Sequence, residues 1–217
     1  MRIFLIRHAE SDGNVDHTVR LDVPDHALDL SARGRRQALT AGRWLDQHLQ
    51  TLDAPPPFIR VWTSPYRRTR EIARLISEQL THTPWDLREH INLCEQQFGL
   101  FEGFDESEWA SAFPDEWRHY EKCLRHNGRF WARMPLGESR FDVAVRVHQA
   151  FGSFYRDAQK HGIDTIAVVC HGVTLRAFVM QWLHHTPEWF DAEPNPPNTA
   201  IRLLDDDIDH GYIYPDS

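Results

Sequence analysis

Three places in the chain set a cationic or titratable side chain just beyond a run that reads as a buried strand. Arg7 and His8 follow residues 2–6 (RIFLI), His171 and Gly172 follow 165–170 (TIAVVC), and Arg68 stands shortly after 58–63 (FIRVWT). Guanidinium groups offer fixed forks of N–H donors that suit phosphate or carboxylate oxygens. An imidazole, with an unperturbed pKa of about 6.5, can act near neutral pH as nucleophile, base or donor. Taken singly, each residue has an ordinary explanation: one histidine among fourteen is usually solvated or satisfied in a core. Their convergence matters more, because ligands of open α/β sheets bind outside the carboxyl ends of the strands.

That convergence needs particular elements. Residues 2–6 read as a buried strand. Residues 12–29, polar and containing Gly13 and Pro24, read as a loop. Ser31 can cap a helix carrying Ala38, Ala41, Leu45 and Leu49 on one face, and Pro55, Pro56 and Pro57 stop it. After the second strand, 58–63, Ser64-Pro65 is expected to open a helix with Pro at its first position, striped by Tyr66, Thr69, Ile72, Ala73, Ile76 and Leu80. A short strand is expected near 86–93. Residues 98–134, aromatic-rich and broken by Gly and Pro, read as an inserted helical segment over one end of the sheet. Ser139 with Asp142 resembles a capping box for a further helix. The run 165–170 is apolar on both faces, as a central parallel strand should be, and a helix follows to about Trp182. TAIRLL and GYIY suggest a terminal antiparallel hairpin. The fold class expected is α/β: a three-layer sandwich with a mostly parallel central sheet, helices on both faces, and the insert over the strands' carboxyl edge. The whole of 1–217 is read as one domain.

Composition narrows the function. With 32 acidic against 24 basic residues, the net charge is −8, a poor basis for binding nucleic acid or anionic lipid through the general surface. Mean hydropathy is −0.56 and no apolar run approaches a bilayer span, so no membrane association is expected. The apolar stretch of MRIFLIRHAE is too short for a signal peptide, which places the protein in the cytoplasm. Cys94, Cys123 and Cys170 are isolated, so neither a disulfide framework nor a structural zinc site is expected. No HExxH or comparable ligand spacing appears among the histidines, and no metal or other cofactor is expected.

The residues also carry a resemblance. Leu5-Ile6-Arg7-His8-Ala9-Glu10-Ser11, with Asn14, resembles the RHG-E-S-x-x-N signature of the histidine phosphatase superfamily, which includes cofactor-dependent phosphoglycerate mutases; Ala9 replaces the usual Gly. Thr63-Ser64-Pro65-Tyr66-Arg67-Arg68-Thr69 is similar to its T-S-x-L-x-R-A segment. Leu93-Cys94-Glu95, Gly99 and Glu102-Gly103 resemble its L-x-E-x-x-x-G-x-x-E-G stretch. Gly137-Glu138-Ser139 with Asp142-Val143, and Val168-Val169-Cys170-His171-Gly172, match two further elements. A lone RHxE match is weak, but five segments in order span nearly the whole chain.

The resemblance implies that His8 attacks phosphorus, with its other ring nitrogen tied to a backbone carbonyl. It implies that Arg7, Arg68, His171 and Asn14 hold the phosphoryl oxygens in place of a metal, with Gly172 beside them. Glu95 would protonate the leaving oxygen and then deprotonate water, which requires it to hold a proton part of the time through burial or neighbouring negative charge. Glu10 and Glu102 read as structural. Arg20, His119 and Arg140 are candidates for extra substrate contacts. The expected reaction is hydrolysis of small phosphorylated metabolites. A mutase is the nearest rival, although Glu95-Gln96-Gln97-Phe98-Gly99 lacks the Arg and Tyr of the mutases' E-R-H-Y-G. The loop with Pro24-Asp25-His26 and the tail from Trp182 to Asn198 look more like the broad-range acid phosphatase branch. A non-catalytic phosphate- or protein-binding module is a further alternative, weakened by the full set of His8, Glu95, Arg7, Arg68 and His171. Whether the chain acts as a monomer or a homodimer is left open.

Overall fold

Alternation along the strands decides the layers. In the computed structural model, which describes residues 1–215, strand β1 (Arg2–Arg7) sends Ile3 and Leu5 into one core and Phe4 and Ile6 into the other. β4 (Thr165–Cys170) does the same, with Ile166, Val168 and Cys170 on one side and Ala167 and Val169 on the other. Strands apolar on both faces must be covered on both. Helices α2 (Ala32–Thr51) and α3 (Arg67–Ser77) pack against one face, and α6 (Arg140–His161) and α7 (Gly172–Trp182) against the other. The result is the expected α/β sandwich.

The sheet has six strands in the order β3-β2-β4-β1-β5-β6, with β2 at Ile59–Thr63, β3 at Trp85–Glu89, β5 at Ile201–Asp205 and β6 at Ile208–Tyr214. β1 to β4 are mutually parallel; β5 runs antiparallel to β1, and β6 antiparallel to β5. The register aligns Arg7 with Cys170 and Thr63 with Val169, so the ends that carry the chemistry finish level. Among the described residues, no helix is long and apolar enough to cross a membrane.

Several boundaries differ from expectation. The 12–29 segment is not plain loop: it holds a short helix, α1 (Asp12–Val15), and two 3-10 turns, His17–Leu21 and Asp25–Ala27. The helix after β2 starts at Arg67, not at Pro65. Sheet pairing runs on through Ser64, whose N–H reaches the Val169 carbonyl at 3.1 Å, and this keeps Ser64 and Pro65 extended past the strand. The insert is less helical than expected: α4 (Trp109–Ala112) and α5 (Pro114–Asn127) are its helices, and 128–139 is mostly irregular. Its aromatic residues mainly form a core of their own around Phe101, Trp109, Tyr120 and Met134. Gly99 holds the insert's base against the incoming chain: its φ is +62°, and a Cβ there would stand 2.1 Å from the Pro135 carbonyl oxygen. Ser139 caps α6 through the reciprocal bonds with Asp142 that the sequence suggested.

Candidate active site

A cavity of about 360 Å³ opens at the carboxyl edge of the sheet beneath the insert. Arg7, His8, Asn14, Arg68 and Glu95 line it, together with Phe98, Trp109 and Met134 from the insert. The strands explain the meeting. His8 continues β1 by donating its N–H to the Cys170 carbonyl at 2.9 Å, and this sets its ring beside that of His171, with centroids 5.3 Å apart.

His8 is buried, and its Nδ1 lies 2.7 Å from the Ala9 carbonyl oxygen. That contact makes Nδ1 the protonated nitrogen and leaves Nε2, which meets no hydrogen-bond partner among the described residues, with its lone pair. Burial, followed by the charges of Arg68 and Arg7, pushes the imidazole pKa well below its ordinary value, so the ring is neutral at neutral pH. Arg7 donates Nη1 to the Pro196 carbonyl, while its buried Nε has no partner. Arg68 is almost fully buried and pairs with Asp25 at 3.0 Å; its Nη2 donates to Nδ1 of His171 at 3.2 Å, and its Nε is unpartnered. Asn14 uses its Oδ1 to accept from Ser11 N–H at 3.1 Å and from Asn198 at 3.3 Å, leaving its amide nitrogen as the donor for a ligand.

Glu95 is half-buried at the amino end of α7. One carboxylate oxygen accepts from the Thr174 N–H at 3.2 Å and the other from the Val173 N–H at 3.2 Å. Burial or neighbouring negative charge was the expected environment; the groups that meet its carboxylate are helix-terminal N–H donors, and its charge acts on Arg7 and Arg176. Its backbone is fixed by Arg146, which donates to the carbonyls of Asn92, Cys94 and Glu95 at 2.9, 2.7 and 3.0 Å and grips Glu138 through Nε and Nη2. Glu138 in turn accepts the Gln97 N–H at 3.0 Å.

Not every residue expected at the site reaches the cavity wall. His171 is fully buried behind Arg68: its Nδ1 accepts from Arg68, so its Nε2 donates to Ser64 Oγ at 2.9 Å. Burial, then Arg68, pushes its pKa well below the ordinary value. Gly172 is also buried, and a Cβ there would lie 2.1 Å from Asn195 Oδ1. Arg20 and Arg140 line the cavity, whereas His119 lies on the outer surface of α5, because it falls on the helix face turned from the insert's core. Glu10 accepts from Ser31 Oγ at 2.6 Å, locking the start of α2. Glu102 pairs with Arg20 at 3.2 Å, and burial and then Asp25 raise its pKa. Asp25, Ser64 and Asn195 fell inside segments the sequence singled out but were not assigned to the site, and Arg146 and Arg176 were not singled out at all. Of the last two, Arg176, one helical turn beyond Gly172, had a legible signal, since residues four apart share a helix face.

A buried neutral imidazole and two guanidinium groups meet in a cavity at the carboxyl edge of the parallel part of an α/β sheet, an arrangement suited to an anionic ligand. The family model described as histidine phosphatase superfamily (branch 1) matches residues 3–213, and the chain belongs to that superfamily. It is 32% identical over 213 residues to phosphoglycerate mutase-like protein AT74 of Arabidopsis thaliana, covering 94% of this chain but only 64% of that protein. It is 24% identical to the broad-range acid phosphatase DET1 of Saccharomyces cerevisiae, over 94% of this chain and 84% of the relative. Among solved structures, the α-ribazole phosphatase of Shigella flexneri matches with a TM-score of 0.69 at 21% identity, covering 94% of this chain and 90% of the other. A mycobacterial glucosyl-3-phosphoglycerate phosphatase matches with a TM-score of 0.69 at 23% identity, with 94% and 90% covered.

Proposed function

We propose that this chain is a metal-independent phosphomonoester hydrolase that works through a phosphohistidine on His8 and acts on small phosphorylated metabolites. The observation that carries this reading is His8 itself: neutral, locked by the Ala9 carbonyl, with Nε2 free in a cavity lined by Arg7 and Arg68. In the first step Nε2 attacks phosphorus, the P–O bond to the leaving group breaks, and the departing oxygen takes a proton from Glu95. In the second, Glu95 takes a proton from water, whose oxygen attacks phosphorus as the P–N bond breaks, returning His8 to its neutral form. Arg7, Arg68 and Asn14 spread the charge of the transferring group. His171 contributes by holding Arg68, and Gly172 by allowing Asn195 to close against α7. A reducing, cytoplasmic setting fits the three free thiols.

The test is hydrolysis of an aryl phosphate by wild type and by His8→Ala. The variant is expected to lose roughly 10³-fold or more in kcat, and wild type in turnover should yield an acid-labile, base-stable phosphoprotein. Near-wild-type turnover by His8→Ala would overturn the mechanism. The mutase reading is favoured by the naming of relatives such as AT74. Phosphoglycerate interconversion stimulated by 2,3-bisphosphoglycerate, exceeding hydrolysis, would put it first.

A further inference from the structure

Tyr66 stands outside the cavity lining yet touches both sides of the site. It lies immediately before α3, two residues ahead of Arg68, where the T-S-x-L-x-R-A segment carries Leu. Its buried ring is inclined at 65° to that of His171, with centroids 5.0 Å apart, and the Arg68 guanidinium carbon lies 5.1 Å from the ring centre. An aliphatic side chain could fill that space. What it would lack is the hydroxyl, which accepts the side-chain amide N–H of Gln97 at 2.6 Å. Burial, followed by Cys94 and Asp25, pushes the phenol above its ordinary pKa, so the hydroxyl stays un-ionised.

Gln97 lies two residues beyond Glu95, in a segment whose backbone helps to set the carboxylate. The intervening Gln96 donates its N–H to Glu95 Oε1 at 3.0 Å and its side-chain amide to the Glu138 carbonyl at 2.8 Å. Gln97 donates its N–H to the Glu138 carboxylate at 3.0 Å, and its carbonyl accepts the Glu138 N–H at 2.8 Å. Those bonds anchor the acid's loop to the chain just before α6. The Gln97–Tyr66 bond runs the other way, from the loop to the stretch that bears Arg68.

We propose that Tyr66 and Gln97 are positioning residues, whose hydroxyl–amide bond fixes the Glu95 loop against the Arg68–His171 pair so that the acid meets the leaving oxygen of a phosphoryl group held by Arg68. The proposal rests on the hydrolase reading, with Glu95 as proton donor.

The test compares phenyl phosphate, whose leaving oxygen needs a proton, with 2,4-dinitrophenyl phosphate, whose leaving group departs as a stable anion. The readout is kcat/KM, which covers transfer to His8 and omits the later attack of water. Tyr66→Phe keeps the ring and removes only the hydroxyl; Gln97→Leu removes the amide. Each should lower kcat/KM for phenyl phosphate about tenfold and for the dinitrophenyl ester by less than about twofold, the pattern of a misplaced acid. Glu95→Gln should show the same selectivity more deeply. The double variant should fall within about threefold of the worse single one, since both break one bond. If Tyr66→Phe fails to fold, Gln97→Leu, at an exposed residue, carries the comparison. Equal losses on both substrates would assign the pair a merely structural role and overturn the proposal, as would unchanged phenyl phosphate hydrolysis in both variants. Wild type that hydrolyses neither ester would overturn the hydrolase reading itself, and this inference with it.

Discussion

The mechanism needs His8 neutral in the folded protein, and this has a thermodynamic consequence that can be measured without substrate. An imidazole whose folded pKa is depressed stays unprotonated while the unfolded chain takes up a proton, so folding stability falls as pH drops below the unfolded value of about 6.5. Above that pH the ring contributes nothing; the loss grows as pH falls towards the folded pKa. With the folded ring fully neutral, linkage gives a loss of about 1.9 kcal/mol between pH 7 and pH 5 for one histidine. Other groups titrate in the same range, so the quantity to measure is a double difference. Urea denaturation of wild type and His8→Asn at pH 7 and pH 5 should show wild type losing up to about 1.9 kcal/mol more than the variant on acidification. His171→Asn should behave alike, because its ring is buried beside the same Arg68. A double difference below about 0.5 kcal/mol, or of opposite sign, would mean that the folded ring takes up its proton near the ordinary pKa. The nucleophile would then become protonated as pH falls below about 6.5, instead of staying neutral to lower pH.

Arg146→Leu should remove the three carbonyl contacts that fix the Glu95 segment and leave Glu138 unpaired. A loss of about 2–3 kcal/mol in stability and about 10²-fold in aryl phosphate kcat is expected; lost stability with unchanged kcat would show that Arg146 does not position Glu95. Asp25→Ala should free the outer fork of Arg68 and lower kcat/KM about tenfold, with Asp25→Asn, which keeps an acceptor, falling between. Wild-type activity in Asp25→Ala would remove Asp25 from the site.

The continuous apolar runs RIFLI and TIAVVC were enough to read two buried strands ending at one edge of a sheet; the pairing of β1 with β4, which sets His8 beside His171, comes from the packed chain. The helix start after β2 was misread because Pro65 satisfies a local rule, while the bond from Ser64 to Val169 is a tertiary fact invisible in the sequence. Glu95 was found only through family resemblance; nothing local marks it, since what makes it special is the amino end of α7, far along the chain. His119 was misplaced for the converse reason: proximity in sequence to the insert says nothing about which face of α5 a residue occupies. The charged residues that hold the site, Arg146 as donor to the Glu95 segment and Asp25 as acceptor from Arg68, look in the sequence like ordinary surface charges, and only the packed chain gives them their partners.

The distribution of charge bears on the size of the substrate. Six arginines line the cavity against Asp25, Glu95, Glu102 and Glu106, so the rest of the chain is more negative than the overall −8. At physiological salt a charge is felt over about 8 Å, so a ligand is governed by the arginines only once it lies among them. A long polyanion would gain the cavity at one point and meet net negative charge along the remainder of its length, which forfeits the many phosphate contacts on which nucleic-acid affinity depends. A small phosphorylated molecule incurs no such opposition, because a volume of about 360 Å³ can enclose most of it. On the proposed hydrolase reading, the balance that opposes an extended polyanion also favours compact, highly charged substrates.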